Sequence, residues 1–273
     1  MPALYVVATP IGNLEDISLR ALRCLQEVKL IAAEDTRTIR HLLNAYDIKT
    51  PITSYHEHSK RAKLNYLLGC LEEEDVALVS EAGMPGLSDP GYELIVAAIG
   101  RGISVIPVPG ASAVTTALVI SGLPTNQFLY LGFLPRRHGQ RRRLISSIAG
   151  EPRTIVAFEA PHRLRETLGD IQEILGDRRI AVCRELTKVY EEVFRSKVSQ
   201  AVEHFVEPKG EFTLVIEGKT QEESEVTEEA EGKLWEFYQQ GARAKEAISR
   251  VSNLSGLSKR KLYQVWLKFG KGG

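Results

Sequence analysis

The sequence predicts an α/β protein of two α/β domains carrying a small helical appendage at the C-terminal end. Three observations predict it. Short, continuous runs rich in β-branched residues alternate with helix-like stretches through the first 120 residues. A Gly/Pro cluster, SGLPTNQ, then precedes a second set of strands that follow one another more directly. Beyond it, an acidic stretch gives way to a basic one with helical periodicity.

In the first set, strands are expected over residues 3–8, 28–33, 76–80 and 103–108, with a weaker one over 51–55. Helices are expected over 18–27, 37–46, 59–73 and 92–101, and again over 113–120. The βαβα alternation implies a largely parallel sheet covered on both faces. In the second set, strands are expected over 128–133, 154–159, 179–185, 191–196 and 212–217, with helices over 140–148, 163–175 and 197–204. Direct strand-to-strand succession implies a mixed sheet. The boundaries expected are therefore 1–118, 119–220 and 221–273.

A chain of 273 residues suits two ordinary domains, and 43% apolar with 26% charged residues is ordinary globular composition. No apolar run approaches the ~20 residues that span a bilayer. The start, MPALYVVATP, lacks the basic region of a signal peptide. Cys24, Cys70 and Cys183 are scattered, which argues against a disulfide framework and a CxxC metal site. A reduced, cytoplasmic protein with no membrane association is expected.

Lys+Arg and Asp+Glu are equal at 35 each, which argues against a general nucleic-acid binder. The distribution says more. Residues 221–232 carry six Glu and no base, the expected solvated linker. Residues 233–273 carry nine Lys/Arg against two Glu. Ser258 is a candidate N-cap, and Leu262, Val265, Trp266 and Phe269 share one helical face. A preceding helix over 243–253 and a turn at Gly256 complete a helix-turn-helix outline; the alternative is a plain helical hairpin. Its exposed Lys259, Arg260 and Lys261 are candidate RNA contacts. So are Arg136, Arg137, Arg141, Arg142 and Arg143, unless they form a merely solvated helix start.

Five loops follow strands and can carry chemistry. ATPIGNLEDIS has a single Gly and no GxGxxG, so a nicotinamide or flavin is not expected. Glu34-Asp35-Thr36-Arg37 offers a carboxylate beside a guanidinium, read either as a general base or as a helix cap with a surface ion pair. Tyr55-His56-Glu57-His58 places its ligand types on opposite faces, so a metal is not expected. SEAGMPGLSDPG, residues 80–91, packs three Gly and two Pro into twelve positions, a loop a ligand can approach closely. PVPGASA, residues 107–113, opens a helix whose first N–H groups can bind a carboxylate or hydroxyl.

Taken in order, LYVVATPIGNLEDIS, AAEDTR, SYHEH, VSEAGMPGLSDPG, VPGASA, LGFLP, FEAPHR, CRELTKVYEE and GEFTLVIEG resemble the bacterial 16S ribosomal RNA (cytidine-2′-O)-methyltransferases. These form a branch of the tetrapyrrole (corrin/porphyrin) methylase class, the class III methyltransferases. The resemblance runs from about Leu4 to Gly218, and the C-terminal part resembles the helix-turn-helix appendage of the same proteins. It implies a homodimer with S-adenosylmethionine in a cleft between two α/β domains. It places the cofactor against Pro10, Gly83, Met84, Leu87, Ser112, Ala113, Phe158, Glu159, Phe212 and Thr213. It implies a cytidine ribose in the decoding centre of 16S ribosomal RNA as the acceptor, within the 30S subunit. Met84 stands where porphyrin methylases commonly carry Asp, which fits the RNA branch better.

A 2′-hydroxyl is a poor nucleophile, so a base within hydrogen-bond reach is expected. The candidates are Asp35, His56, Glu57 and Glu81, with the loop of Glu34, Asp35 and Arg37 first. Arg37 is also placed to hold a flanking phosphate. No metal is required by this chemistry. Two other readings compete: methylation of a corrin or porphyrin, and a non-catalytic ribosome-assembly factor.

Overall fold

The computed structural model of the chain describes residues 2–55, 60–219, 226–255 and 257–270, with the side chains of Lys60 and Arg61 left aside. It divides into two compact units, Met1–Gly218 and Lys219–Gly273.

The first unit holds two five-stranded sheets. Strands β1 (Ala3–Val7), β2 (Leu30–Ala33), β3 (Ile52–Ser54), β4 (Val76–Val79) and β5 (Ser104–Val108) form the first, in the order β3-β2-β4-β1-β5. Every pairing in it is parallel. Side chains alternate across a strand, so each continuous apolar run feeds two cores. Leu4, Val6, Leu30, Ala32, Val76 and Leu78 pack on one face against Leu67, Leu71, Leu94 and Ala98. Val7, Ile31, Ala33, Ala77 and Val79 pack on the other against Leu25, Ile39 and Leu43. The covering helices are α1 (Leu19–Glu27), α2 (Thr36–Ala45), α3 (Lys60–Cys70) and α4 (Tyr92–Gly100). Ser18 caps α1 by accepting the Ala21 N–H.

The second sheet runs β6 (Phe128–Phe133), β7 (Thr154–Glu159), β10 (Phe212–Ile216), β8 (Arg179–Arg184), β9 (Glu192–Lys197). It is mixed as expected: β6 and β7 are parallel, and the other pairs are antiparallel. One face packs on α6 (His138–Ser147), α7 (Pro161–Leu175) and α8 (Val198–His204) through Ile145, Leu164, Leu168, Val198 and Ala201. The other face is covered by α5 (Ala113–Ile120), the helix that ends the first set of elements. Val114, Ala117 and Leu118 of α5 join Ile11 in a core with Val156, Ala181, Cys183 and Val215. That shared core is why the expected division at residue 118 does not separate two compact bodies.

In the second unit, α9 (Glu228–Gln239), α10 (Ala244–Ser255) and α11 (Lys259–Phe269) surround Leu234, Ala247, Val251, Leu257, Leu262 and Val265. Trp235, Tyr238, Trp266 and Phe269 pack edge-on or stacked beside that core. Ser258 caps α11 as expected, accepting from Lys261 N. The expected acidic linker is shorter than 221–232. Thr227 caps α9, and Glu228, Glu229 and Glu231 lie in its first turn, where the helix dipole favours negative charge. Gly256, the expected turn residue, lies outside the described residues.

Candidate active site

The loops after β1, β4 and β5 meet at the C-terminal edge of the parallel sheet, where ligands bind in open α/β folds. Two backbone hydrogen bonds pin the first loop to the second: Thr9 N donates to Gly83 O at 2.9 Å, and Gly83 N donates to Thr9 O at 3.1 Å. Gly83 makes this closure with φ 79°, a left-handed conformation that a side chain strains. Gly91 closes the same loop at φ 137°, where an added Cβ would come within 2.9 Å of Leu78 Cδ2. Between them Ser88, a non-glycine, is also left-handed at φ 67°. Its hydroxyl is 2.7 Å from the Tyr130 hydroxyl on β6, so the loop is tied to the second sheet.

A cavity of about 460 Å³ lies beside these loops, within the range that encloses a small-molecule ligand. Residues 83, 84 and 87 form one wall and residues 112–114 another; 158, 159, 212 and 213 come from the second sheet. Nine of the ten residues expected to touch a cofactor thus line one cavity: Gly83, Met84, Leu87, Ser112, Ala113, Phe158, Glu159, Phe212 and Thr213. Pro10 does not line it. It lines a smaller neighbouring cavity of about 260 Å³, because the Thr9–Gly83 pairing turns the next residue to the other side.

Phe158 meets Tyr130 and Phe133 at ring-centroid distances of 5.4 and 5.3 Å, giving an aromatic wall. Burial pushes the Cys183 thiol up to about 12, so it stays protonated as an apolar lining group. Ser112 precedes α5 without a side-chain capping bond, which leaves the helix start to a ligand carboxylate or hydroxyl. Glu34, Glu81 and Asp89 stand at one end. Among the described residues no Lys, Arg or His lines the cavity. A cavity with this charge pattern suits a ligand that carries positive charge.

The other expected site residues are distributed as follows. Asp35 is the N-cap of α2 and accepts the Arg37 N–H at 2.7 Å and the Arg37 Nη2 at 2.8 Å. Those bonds from Arg37 hold its carboxyl down at about 2. The helix-cap alternative is the one observed, and a carboxylate this weakly basic is a poor general base. The Arg37 side chain is 88% exposed. Glu81 lines both cavities and accepts a hydrogen bond from Thr38 at 3.4 Å. His56 and Glu57 lie outside the described residues.

The Arg136–Arg143 segment needs a correction. Arg136, Arg137 and Arg143 are exposed. Arg141 is fully buried, with Nε 2.7 Å from Asp170 and Nη2 2.8 Å from Glu166. Arg142 reaches Asp170 at 3.0 Å and Glu173 at 2.5 Å. Carboxylates of α7 therefore take two of the five expected phosphate contacts. Glu159 is likewise bound within the chain, to Arg163 at 2.6 Å, Thr167 at 2.6 Å and Ala160 N at 2.7 Å. In the second unit Lys259 and Arg260 are exposed, and Lys261 is half-buried.

Asp89 and the Ser88–Tyr130 contact were not among the expected site features. The signal was present: a carboxylate inside the loop already expected to meet a ligand.

The model of the tetrapyrrole (corrin/porphyrin) methylases matches residues 3–202. The chain belongs to that family. A protein of Halalkalibacterium halodurans named ribosomal RNA small subunit methyltransferase I is 48% identical over 276 residues, covering 96% of this chain and 94% of its own. A Thermotoga maritima protein of the same name is 51% identical over 222 residues, covering 80% of this chain and all of its own. Among solved structures, the cobalt precorrin-4 methyltransferase CbiF superposes with a TM-score of 0.60 at 17% identity, over 79% of this chain and 94% of its own. A diphthine synthase does so at 0.63 and 14%, over 80% and 90%. These last likenesses show the fold alone. This methylase is an S-adenosylmethionine-dependent methyltransferase, in keeping with its motifs. Among the described residues no helix is long and apolar enough to cross a membrane, and no group of three or more His, Cys, Asp or Glu could hold a metal.

Proposed function

We propose that this methylase transfers a methyl group to the 2′-hydroxyl of a cytidine in the decoding centre of 16S ribosomal RNA, acting on the 30S subunit in the cytoplasm. The observation that carries the reading is the 48% identity, over nearly the whole of both chains, to a relative bearing the small-subunit methyltransferase name. A cobalt precorrin-4 methyltransferase of the same fold shares 17%, and a uroporphyrin-III C-methyltransferase of Thermus thermophilus 21%.

S-adenosylmethionine, when bound, supplies a sulfonium methyl that is already electrophilic. The chain's task is to position and to exclude water. Gly83, Met84 and Leu87 would hold the donor from one side, and Phe158, Phe212 and Thr213 from the other. Ser112 and Ala113, at the start of α5, suit its carboxylate. The acidic end of the cavity favours its positive charge. Exposed Arg136, Arg137 and Arg143 and the basic α11 serve RNA phosphates.

The methylase acts as a homodimer in this reading. Tyr92, Val96 and Ile99 form an exposed apolar stripe at i, i+4 and i+7 on α4. Replacing Val96 and Ile99 with Asp should turn a dimer into a monomer in analytical ultracentrifugation; an unchanged mass removes this face from the interface.

The function is tested by giving the protein labelled S-adenosylmethionine with 30S particles lacking the mark, naked ribosomal RNA, or uroporphyrinogen. Label on a ribose oxygen is expected. Label on a ring carbon refutes the reading, and donor binding without transfer favours the assembly factor.

A further inference from the structure

We propose that the smaller cavity, of about 260 Å³, seats the acceptor nucleoside, and that Lys188 is the positioning residue that holds it there. The proposal rests on the rRNA reading above. The smaller cavity shares Ile11, Glu81, Ala82 and Glu211 with the larger one, so a group seated in it abuts whatever fills its neighbour. It has room for one nucleoside and is too small for a tetrapyrrole ring. A protein that picks one nucleotide from a folded RNA reads it splayed out, with apolar side chains on its faces and donors and acceptors at the base edge.

The lining has that make-up. Pro10, Leu14 and Leu42 supply apolar surface, and His41, Lys188 and Glu211 supply polar groups. Lys188 Nζ lies 3.0 Å from Glu185 Oε1 and 3.0 Å from Glu211 Oε2. An ammonium carries three donors, so one remains for a ligand. The Glu211 carboxylate sets an acceptor beside that donor. The Watson–Crick edge of cytosine likewise presents an acceptor nitrogen next to an amino donor. Lys188 and Leu14 line the smaller cavity and not the larger one, so they separate an acceptor role from a donor role.

The loop between β8 and β9 is built to present this lysine. Glu185 and Thr187, both non-glycine, are left-handed at φ 49° and 68°. Such strain persists only where the surroundings over-determine it, and it gathers at functional sites. Here Glu185 accepts the Glu211 N–H at 2.8 Å, and the Thr187 N–H donates to Glu191 at 2.6 Å. The Thr187 hydroxyl accepts the Asn13 N–H at 3.1 Å, which fastens the loop to the one after β1. Gly12, the single glycine of that first loop, lies against Lys188. A Cβ there would collide with Lys188 Cγ and come within 2.9 Å of Thr187 Oγ1. Burial by itself lowers the Lys188 pKa, but the bonds to Glu185 and Glu211 more than offset it, so the ammonium stays charged.

Lys188→Met, Lys188→Arg and Leu14→Phe test this. Lys188→Met should raise KM for unmethylated 30S particles about 10–100-fold, the worth of one charge-assisted hydrogen bond, and change kcat less. Lys188→Arg should recover most of that loss. Leu14→Phe, which fills the cavity from the first loop and leaves the lysine in place, should raise KM in the same way. Calorimetry should give all three variants the parental affinity for S-adenosylmethionine. Binding is read directly by adding cytidine 5′-monophosphate to full-length protein carrying ¹³C-methylated lysines and saturated with S-adenosylhomocysteine. The one resonance that Lys188→Arg removes should shift. Donor affinity that falls in both Lys188→Met and Leu14→Phe overturns the proposal, because the cavity then belongs to the donor. Parental kcat and KM in both variants overturn it as well. A parental protein that methylates no RNA sinks the rRNA reading instead. The cavity is then judged by the nucleotide titration, in which an unmoved Lys188 resonance refutes a nucleoside site.

Discussion

The Arg163 guanidinium lies 2.6 Å from the Glu159 carboxylate, and both side chains are nearly excluded from solvent. Arg163 also donates to the Leu134 carbonyl at 3.0 Å, so it ties the FEAPHR and LGFLP segments together at the rim of the larger cavity. Removing one member of a buried pair strands the other charge, at a cost of about 3–5 kcal/mol. Arg163→Ala should lower Tm markedly and weaken donor binding through misplaced Phe158. A parental melting curve would show that the pair is dispensable.

Asp35 offers the opposite case. Its carboxyl is ionised down to about pH 2, held there by Arg37. A lowered folded pKa contributes stability that is present above 3.8 and lost as pH falls through about 2. Asp35→Asn should leave the kcat–pH profile near neutrality in place, since a group already ionised there cannot shape it. A profile flattened by this variant would return the base to the EDTR loop.

The arginines of the β6–α6 segment should separate into two classes. Replacing Arg136, Arg137 and Arg143 with Ala should weaken RNA binding and reduce the salt slope by ~0.7 per lost contact with single-stranded RNA, leaving Tm near parental. Arg141→Met should do the reverse, because Arg141 serves Asp170 and Glu166. Filter binding at several salt concentrations, alongside thermal melts, checks both.

Deleting residues 219–273 should leave donor affinity unchanged and lower RNA affinity. The Thermotoga maritima relative is matched over its full length by 80% of this chain, about the share held by Met1–Gly218. Titrating the shortened chain with 30S particles is the measurement. Equal affinity would remove the C-terminal helices from RNA contact.

Local rules reach some of these features and miss others. The parallel sheet is readable because runs such as Leu30–Ala33 and Val76–Val79 bury both faces and so contain few polar residues. The loop 80–91 is readable because left-handed turns and close approaches select Gly. Asp89 is not readable as a perturbed acid, since its burial depends on the fold and its neighbour Glu34 comes from the end of β2. Arg141 is not readable as buried, because Asp170 is 29 residues away on another helix. The EDTR motif by itself fits either a base or a cap, and the bonds from Arg37 make Asp35 a cap.

The burial of α5 beneath the second sheet bears on how the polypeptide acquires its shape. Val114, Ala117 and Leu118 have no cover until β7, β8 and β10 exist, and β10 is the last strand made. A ribosome has therefore released nearly the entire first unit before this greasy helix can be sheltered. A fragment stopping at residue 118 would leave it bare and prone to self-association.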